Sequence, residues 1–212
     1  MSSATEREYV LGTNDAELAR LGYQHQVWAA ATAAAWERAG FRPGARILDV
    51  GCGPGHASFD LANLVGRDGR VLAVDVSERF VAHLEAERRR RGVAQIETRV
   101  ADLEQLSLEP GSVDGAFARW VLCFVREPGR VIGRVARALR PGGTFAVMDY
   151  CRYEAITVAP RSQAIERVVD AVARSFREHG GDPDVGQRLP ALMREAGLAV
   201  RSVRPIVRVA RP

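Results

Sequence analysis

The chain has 212 residues, enough for one α/β domain with a buried core and modest additions. Its hydrophobic share of 47% and charged share of 26% are those of a soluble globular protein, and its longest apolar stretches are strand-sized, so no membrane span is expected. All 30 basic residues are arginine, yet the net charge is only +4, too small to argue for a nucleic-acid partner.

Residues 1–40 are alanine-rich and helical in pattern. Asn14 or Asp15 is placed to cap a helix carrying Leu18, Leu21 and Val27, with Trp28 and Trp36 following. The N-terminus, M-S-S-A-T-E-R-E, lacks the basic-then-apolar order of a secretory signal. Pro43-Gly44 opens the main domain, where strands and helices alternate. Strands are expected near 46–51, 71–75, 96–101, 113–118 and 143–149, and helices near 56–65, 78–91 and 127–139. Ser77 is a suitable cap for the second helix; Pro141-Gly142-Gly143 ends the third and turns the chain into the fifth strand. This order specifies a doubly wound, mostly parallel sheet with helices on both faces, whose ligands bind at the carboxyl ends of the strands.

Beyond residue 150 the rhythm changes. A helix over 160–179 carries Ile165, Val168, Val169 and Val172 on one face. Gly180-Gly181-Asp182-Pro183 is a loop, a helix spans about 187–196, and a strand is expected at about 198–209, broken by Pro205. The organisation expected is one domain: an N-terminal helical cap over 1–42, a core over 43–150, a helical insertion over 151–197, and a C-terminal strand region over 198–212 that is incomplete or in two short pieces. Cys52, Cys123 and Cys151 have no metal-like spacing and an odd count, which points to structural thiols in a reducing cytoplasm and to no metal site. The arginine run Arg88–Arg91 fits the solvated last turn of a helix, where cations suit the dipole.

The chemistry is concentrated in residues 46–55, R-I-L-D-V-G-C-G-P-G. A short buried strand runs into Gly51, Gly53 and Gly55, a turn in which backbone can approach a ligand closely. Asp49 stands at the end of that strand and Asp75 at the end of the next, where a ribose with free hydroxyls would be held. A nicotinamide dinucleotide would require a glycine where His56 stands, and Asp49 would repel its pyrophosphate. S-adenosylmethionine carries an ammonium and a sulfonium and no phosphate, so a carboxylate here favours it.

Residues 46–150 resemble a class I S-adenosylmethionine-dependent methyltransferase of the small-molecule type. D-V-G-C-G-P-G at 49–55, A-V-D-V-S at 73–77, A-D-L at 101–103 and L-R-P-G-G at 139–143 match that family's segments in order. The resemblance implies that Gly51 and Gly53, with Cys52 between them, pass under the cofactor's methionine moiety, and that Asp49 helps to fix that end. It implies ribose hydroxyls on Asp75 beside Val76, the adenine amino group on Asp102, and a backbone donor from Leu103. Arg119, just past the fourth strand, falls near the cofactor's amino-acid end.

The family further implies a seven-stranded sheet closed by an antiparallel pair, from which the short C-terminal run departs. The acceptor expected is a small organic molecule of quinone or natural-product type, methylated on O, N or C. The N-P-P-Y and proline-cysteine motifs of base-methylating relatives are absent, and A-R-W-V stands at 118–121. Methyl transfer is an in-line displacement accelerated by alignment and water exclusion, so no catalytic triad is required. His25, Asp149 and Tyr150 are the candidates for a base or orienting group; Tyr23, His25 and Trp28 are candidates for a lid. The expected assembly is a monomer or homodimer. Two rivals stand beside this reading: a non-catalytic S-adenosylmethionine-binding module or partner subunit, and a nicotinamide oxidoreductase.

Overall fold

A computed structural model describes residues 14–207 and residue 209. Helix α1 spans Asp15–Ala39; Asn14 caps it, its side chain accepting from the Glu17 amide at 3.0 Å. Residues 1–13 of the expected helical cap lie outside the described residues. There follow β1 (Arg46–Val50), α2 (His56–Val65), β2 (Arg70–Asp75), α3 (Glu78–Arg91), β3 (Ile96–Val100), β4 (Val113–Arg119), α4 (Pro128–Ala138) and β5 (Leu139–Met148). Single 3-10 turns at Tyr153–Ala155 and Val185–Gln187 flank α5 (Gln163–Glu178), and α6 is Leu189–Glu195.

The five strands form one parallel sheet in the order β3-β2-β1-β4-β5. This is the doubly wound fold expected, and its order reverses between β1 and β4, where the crevice for a ligand opens. Alternation along each strand divides the core into two layers. Leu48, Val50, Ala116 and Ala118 pack towards α4, α6 and Phe176 of α5, whereas Ile47, Ala73 and Phe117 pack towards α2, α3 and Trp36 of α1. Asp49 shares the parity of Ile47. A carboxylate is thereby directed into a buried layer under α2, and it is only 2% exposed.

Two expectations require correction. β5 begins at Leu139, not at 143: Leu139 pairs with Val113, the register then shifts, and Thr144 pairs with Gly115. Pro141, Gly142 and Gly143 therefore form an irregularity inside the strand rather than a turn ahead of it, with Gly142 at φ 79°. The strand expected at about 198–209 is not formed by the described residues of that stretch, 198–207 and 209. Pro205 lacks the donor a ladder needs, and Val203, Val207 and Val209 stay exposed instead of facing a core. Residues 208 and 210–212 lie outside the described residues.

Candidate active site

The turn after β1 is pinned to the neighbouring strand: the amides of Gly51 and Cys52 both donate to the Val74 carbonyl, at 2.8 and 3.0 Å. Gly51 lies at φ 68°, and a Cβ there would stand 2.5 Å from Val121, so the β1 and β4 ends close together only over a glycine. Gly53, at φ 53°, has open space where a side chain would project. Its amide donates to Asp75 Oδ2 at 2.7 Å, while Ser77 donates to Asp75 Oδ1 at 2.9 Å. One carboxylate thus orders both the glycine turn and the start of α3, with Ser77 as the cap of that helix. Burial raises the Asp75 pKa, and the amides of Ser77, Gly53 and Val76 oppose the rise.

Asp49 accepts from Ser58 Oγ at 2.6 Å. Burial pushes its pKa up to about 6, with Ser58 and Arg119 pulling the other way. Asp102 accepts from the Glu104 amide at 2.9 Å and from Gln105 Nε2 at 3.1 Å, so its carboxylate shapes the turn after β3. The Cys52 thiol is buried and its pKa is raised well above the usual range, which keeps it neutral and unreactive.

These residues line one cavity of about 650 Å³ at the carboxyl ends of the strands. Asp49, Gly51, Cys52, Gly53, Asp75, Val76, Asp102, Leu103 and Arg119 all face it, as does Tyr150. Two of the three candidate bases do not. Asp149 turns inward: its Oδ2 accepts from the amides of Leu122 and Cys123, and its Oδ1 from that of Tyr150. Burial raises its pKa to about 6. His25 lies behind the cavity wall, its Nδ1 3.1 Å from an Arg119 nitrogen and its Nε2 3.1 Å from Asp60 Oδ2.

Helix α1 reaches the cavity through other residues than those expected of a lid. Arg20, Leu21 and Gln24 of α1 line the cavity, whereas Tyr23 faces outwards at 70% exposure. Trp28 meets the Trp120 ring edge-on at 5.6 Å. His56, at the start of α2, also lines the cavity; burial lowers its pKa to about 4, and its buried Nε2 has no hydrogen-bond partner among the described residues.

Part of the cavity lining is aromatic. Trp120 stacks on Tyr150 at 6.1 Å, Tyr150 meets Tyr153 edge-on at 5.0 Å, and Phe124 stacks on Phe176 at 4.7 Å. Trp120 holds φ 53°, a left-handed conformation that costs a non-glycine residue on the order of 1–3 kcal/mol. Its amide is tied to the Met148 carbonyl at 2.8 Å, which fixes the indole over the cavity. Tyr153 and Phe176 escape sequence reasoning because they lie beyond β5, in the segment without strand–helix rhythm. The one available signal was the i, i+4 pair Val172 and Phe176, since both face the cavity from α5.

Residues 48–147 match the family model described as a methyltransferase domain. This segment is a class I S-adenosylmethionine-dependent methyltransferase domain. An uncharacterised 37.1 kDa protein of transposon Tn4556 from Streptomyces fradiae is 35% identical over 80% of this chain and 48% of its own length. The nocamycin O-methyltransferase of Saccharothrix syringae is 36% identical over 50% of this chain and 38% of its own. The chain thus spans less than half the length of each of these two relatives. A crystallised S-adenosylmethionine-dependent methyltransferase from Aquifex aeolicus shares the fold, with a TM-score of 0.59, 22% identity and 76% of each chain covered.

The residues present suit the cofactor of this family. Asp49, Asp75 and Asp102 give the cavity floor the negative character that a cationic nucleoside prefers and a pyrophosphate does not. Gly53 leaves open space in the cradle, and Arg119 presents a guanidinium among the cavity residues. Among the described residues no group of histidines, cysteines and acids could hold a metal ion, and no helix is long and apolar enough to cross a membrane.

Proposed function

We propose that this methyltransferase domain transfers a methyl group from S-adenosylmethionine to an O, N or C atom of a small, largely planar organic acceptor, of quinone or natural-product type. The observation that carries the reading is the continuity of the cavity: Asp49, Asp75 and Arg119 line one part of it, and Trp120, Tyr150, Tyr153, Phe124 and Phe176 another. The acidic and glycine-rich part suits the nucleoside and methionine moieties. The aromatic part suits a flat apolar acceptor, whose ring would be held face or edge to these side chains. The similarity to the nocamycin O-methyltransferase supports transfer to a small organic acceptor.

S-adenosylmethionine supplies an already activated methyl group, and the protein's task is alignment and exclusion of water. Asp75 would hold the ribose and Asp102 with Leu103 the adenine. Asp149 is committed to three backbone amides and His179 Nδ1 to the Ser175 carbonyl. An acceptor that is nucleophilic on its own account, such as a phenolate, an amine or an enolate, needs no base from either residue.

The test is calorimetric titration with S-adenosylhomocysteine, with NADH as the parallel control, followed by methyl-transfer assays on a panel of phenols, quinols and amines. Binding of S-adenosylhomocysteine alone with turnover of a planar acceptor supports the reading. Binding of NADH in its place refutes it, and cofactor binding without turnover of any acceptor leaves the non-catalytic module as the answer.

A further inference from the structure

Arg119 has an unusual environment for a half-buried guanidinium. Its two hydrogen-bonding partners are neutral: Thr32 Oγ1 at 2.9 Å and His25 Nδ1 at 3.1 Å. Among the described residues no carboxylate reaches it within ion-pair distance, and its remaining contact is the face of Trp120, 5.1 Å from the ring centroid. Guanidinium donors left without an anion on the wall of a cavity form a prepared site for one.

The arrangement behind Arg119 fixes its direction. His25 and Thr32 are seven residues apart, on one face of α1. A guanidinium only donates, so His25 Nδ1 must be the acceptor and its proton must lie on Nε2. Nε2 faces Asp60 Oδ2 at 3.1 Å, and Asp60 stands one helical turn after His56 on α2. Asp60 therefore selects the tautomer, and His56, stacked on His25 at 5.4 Å, supports the ring plane. Three elements thus converge on one guanidinium: α1 through His25 and Thr32, α2 through Asp60, and the end of β4, which carries Arg119 itself.

We infer that His25, held in its Nε2–H tautomer by Asp60, is a positioning residue that aims Arg119 at the carboxylate of the methionine moiety of S-adenosylmethionine. The inference rests on the cofactor reading above. It gives His25 a task other than that of a base, and explains why a histidine outside the cavity belongs to the site.

The experiment compares two ligands that differ only in that carboxylate: S-adenosylmethionine and decarboxylated S-adenosylmethionine, titrated calorimetrically into the wild-type chain, His25→Phe and His25→Asn. Phe keeps the ring and removes the acceptor; the Asn carbonyl restores an acceptor near the place of Nδ1. The wild type is expected to prefer S-adenosylmethionine by roughly ten- to a hundredfold, the contribution of charge-assisted bonds. His25→Phe should lose most of that preference by weakening S-adenosylmethionine alone, and His25→Asn should regain a large part of it.

A loss equal for both ligands, which a merely structural role would give, overturns the inference, as does an unchanged preference in His25→Phe. Failure of the wild type to bind either ligand overturns the cofactor reading itself. The two failures are thus told apart by the wild-type titration.

Discussion

Asp49→Asn is expected to stabilise the free protein while weakening its hold on the cofactor. Burial raises the Asp49 pKa from 3.8 to about 6, a penalty of about 3 kcal/mol on its charged form. The sign follows from linkage. A carboxyl with a raised folded pKa binds more protons in the folded state between those two values, so stability falls as pH rises through that window and stays low above about 6. Asp49 alone then lowers wild-type stability by about 1 kcal/mol between pH 5 and pH 8. An asparagine carries no such penalty, and its carbonyl can still accept from Ser58 Oγ, now at 2.6 Å from Oδ2. The amide's own desolvation offsets part of the gain, about 1 kcal/mol, which leaves a net stabilisation of about 2 kcal/mol at pH 8. Other buried groups titrate in the same range, among them Asp149 and His56. The quantity to measure is therefore the difference in unfolding free energy between variant and wild type, by urea denaturation at intervals from pH 5 to pH 8. The reasoning requires a variant more stable at pH 8 by an amount that shrinks towards pH 5, with S-adenosylhomocysteine binding weakened. A variant no more stable at pH 8, or a difference that does not change with pH, refutes it.

Asp149→Asn should do the opposite, although burial lifts both acids to about 6. Besides the Cys123 thiol, three backbone N–H groups donate to it, so a side-chain NH2 must face at least one donor; a loss of roughly 1–3 kcal/mol in urea unfolding is expected. Asp75→Ala should weaken S-adenosylhomocysteine by roughly 1.5–3 kcal/mol in calorimetry, and unchanged affinity would remove Asp75 from the ribose site. Asp75→Asn should recover little of this, because the amides of Gly53 and Ser77 both donate to the present carboxylate. Tyr153→Ala removes an edge-on partner of Tyr150 from the acceptor wall; KM for aromatic acceptors should rise by a factor corresponding to about 1 kcal/mol, with cofactor affinity unchanged. A change in cofactor affinity alone would place Tyr153 in the cofactor's part of the cavity.

The parts of this molecule that could be read from its sequence are those in which local chemistry and tertiary role coincide. Helix α3 runs from Glu78 to Arg91 as expected, because the Ser77 hydroxyl that caps it and the arginines of its last turn act within a few residues of their own position. The acids at the ends of β1 and β2 were legible for the same reason: the strand, the glycine turn and the acid are contiguous, and the parallel order of the sheet brings both ends to one side.

What escaped depends on partners distant in the chain. Leu139 belongs to β5 only because Val113 lies opposite it, and nothing in L-R-P-G-G announces a strand that continues through its own irregularity. Val203, Val207 and Val209 have the alternation of a strand without a neighbouring ladder to pair with among the described residues. His25 and Asp149 show the limit most clearly. Each was a candidate because of its side-chain chemistry, and each is assigned by what surrounds it. Three amides close around Asp149 and turn it into a brace for the ends of β4 and β5. Arg119, 94 residues from His25, turns a potential base into an acceptor that directs a guanidinium. Residue type told which groups could do chemistry; only the contacts across the sheet tell which of them face the reaction.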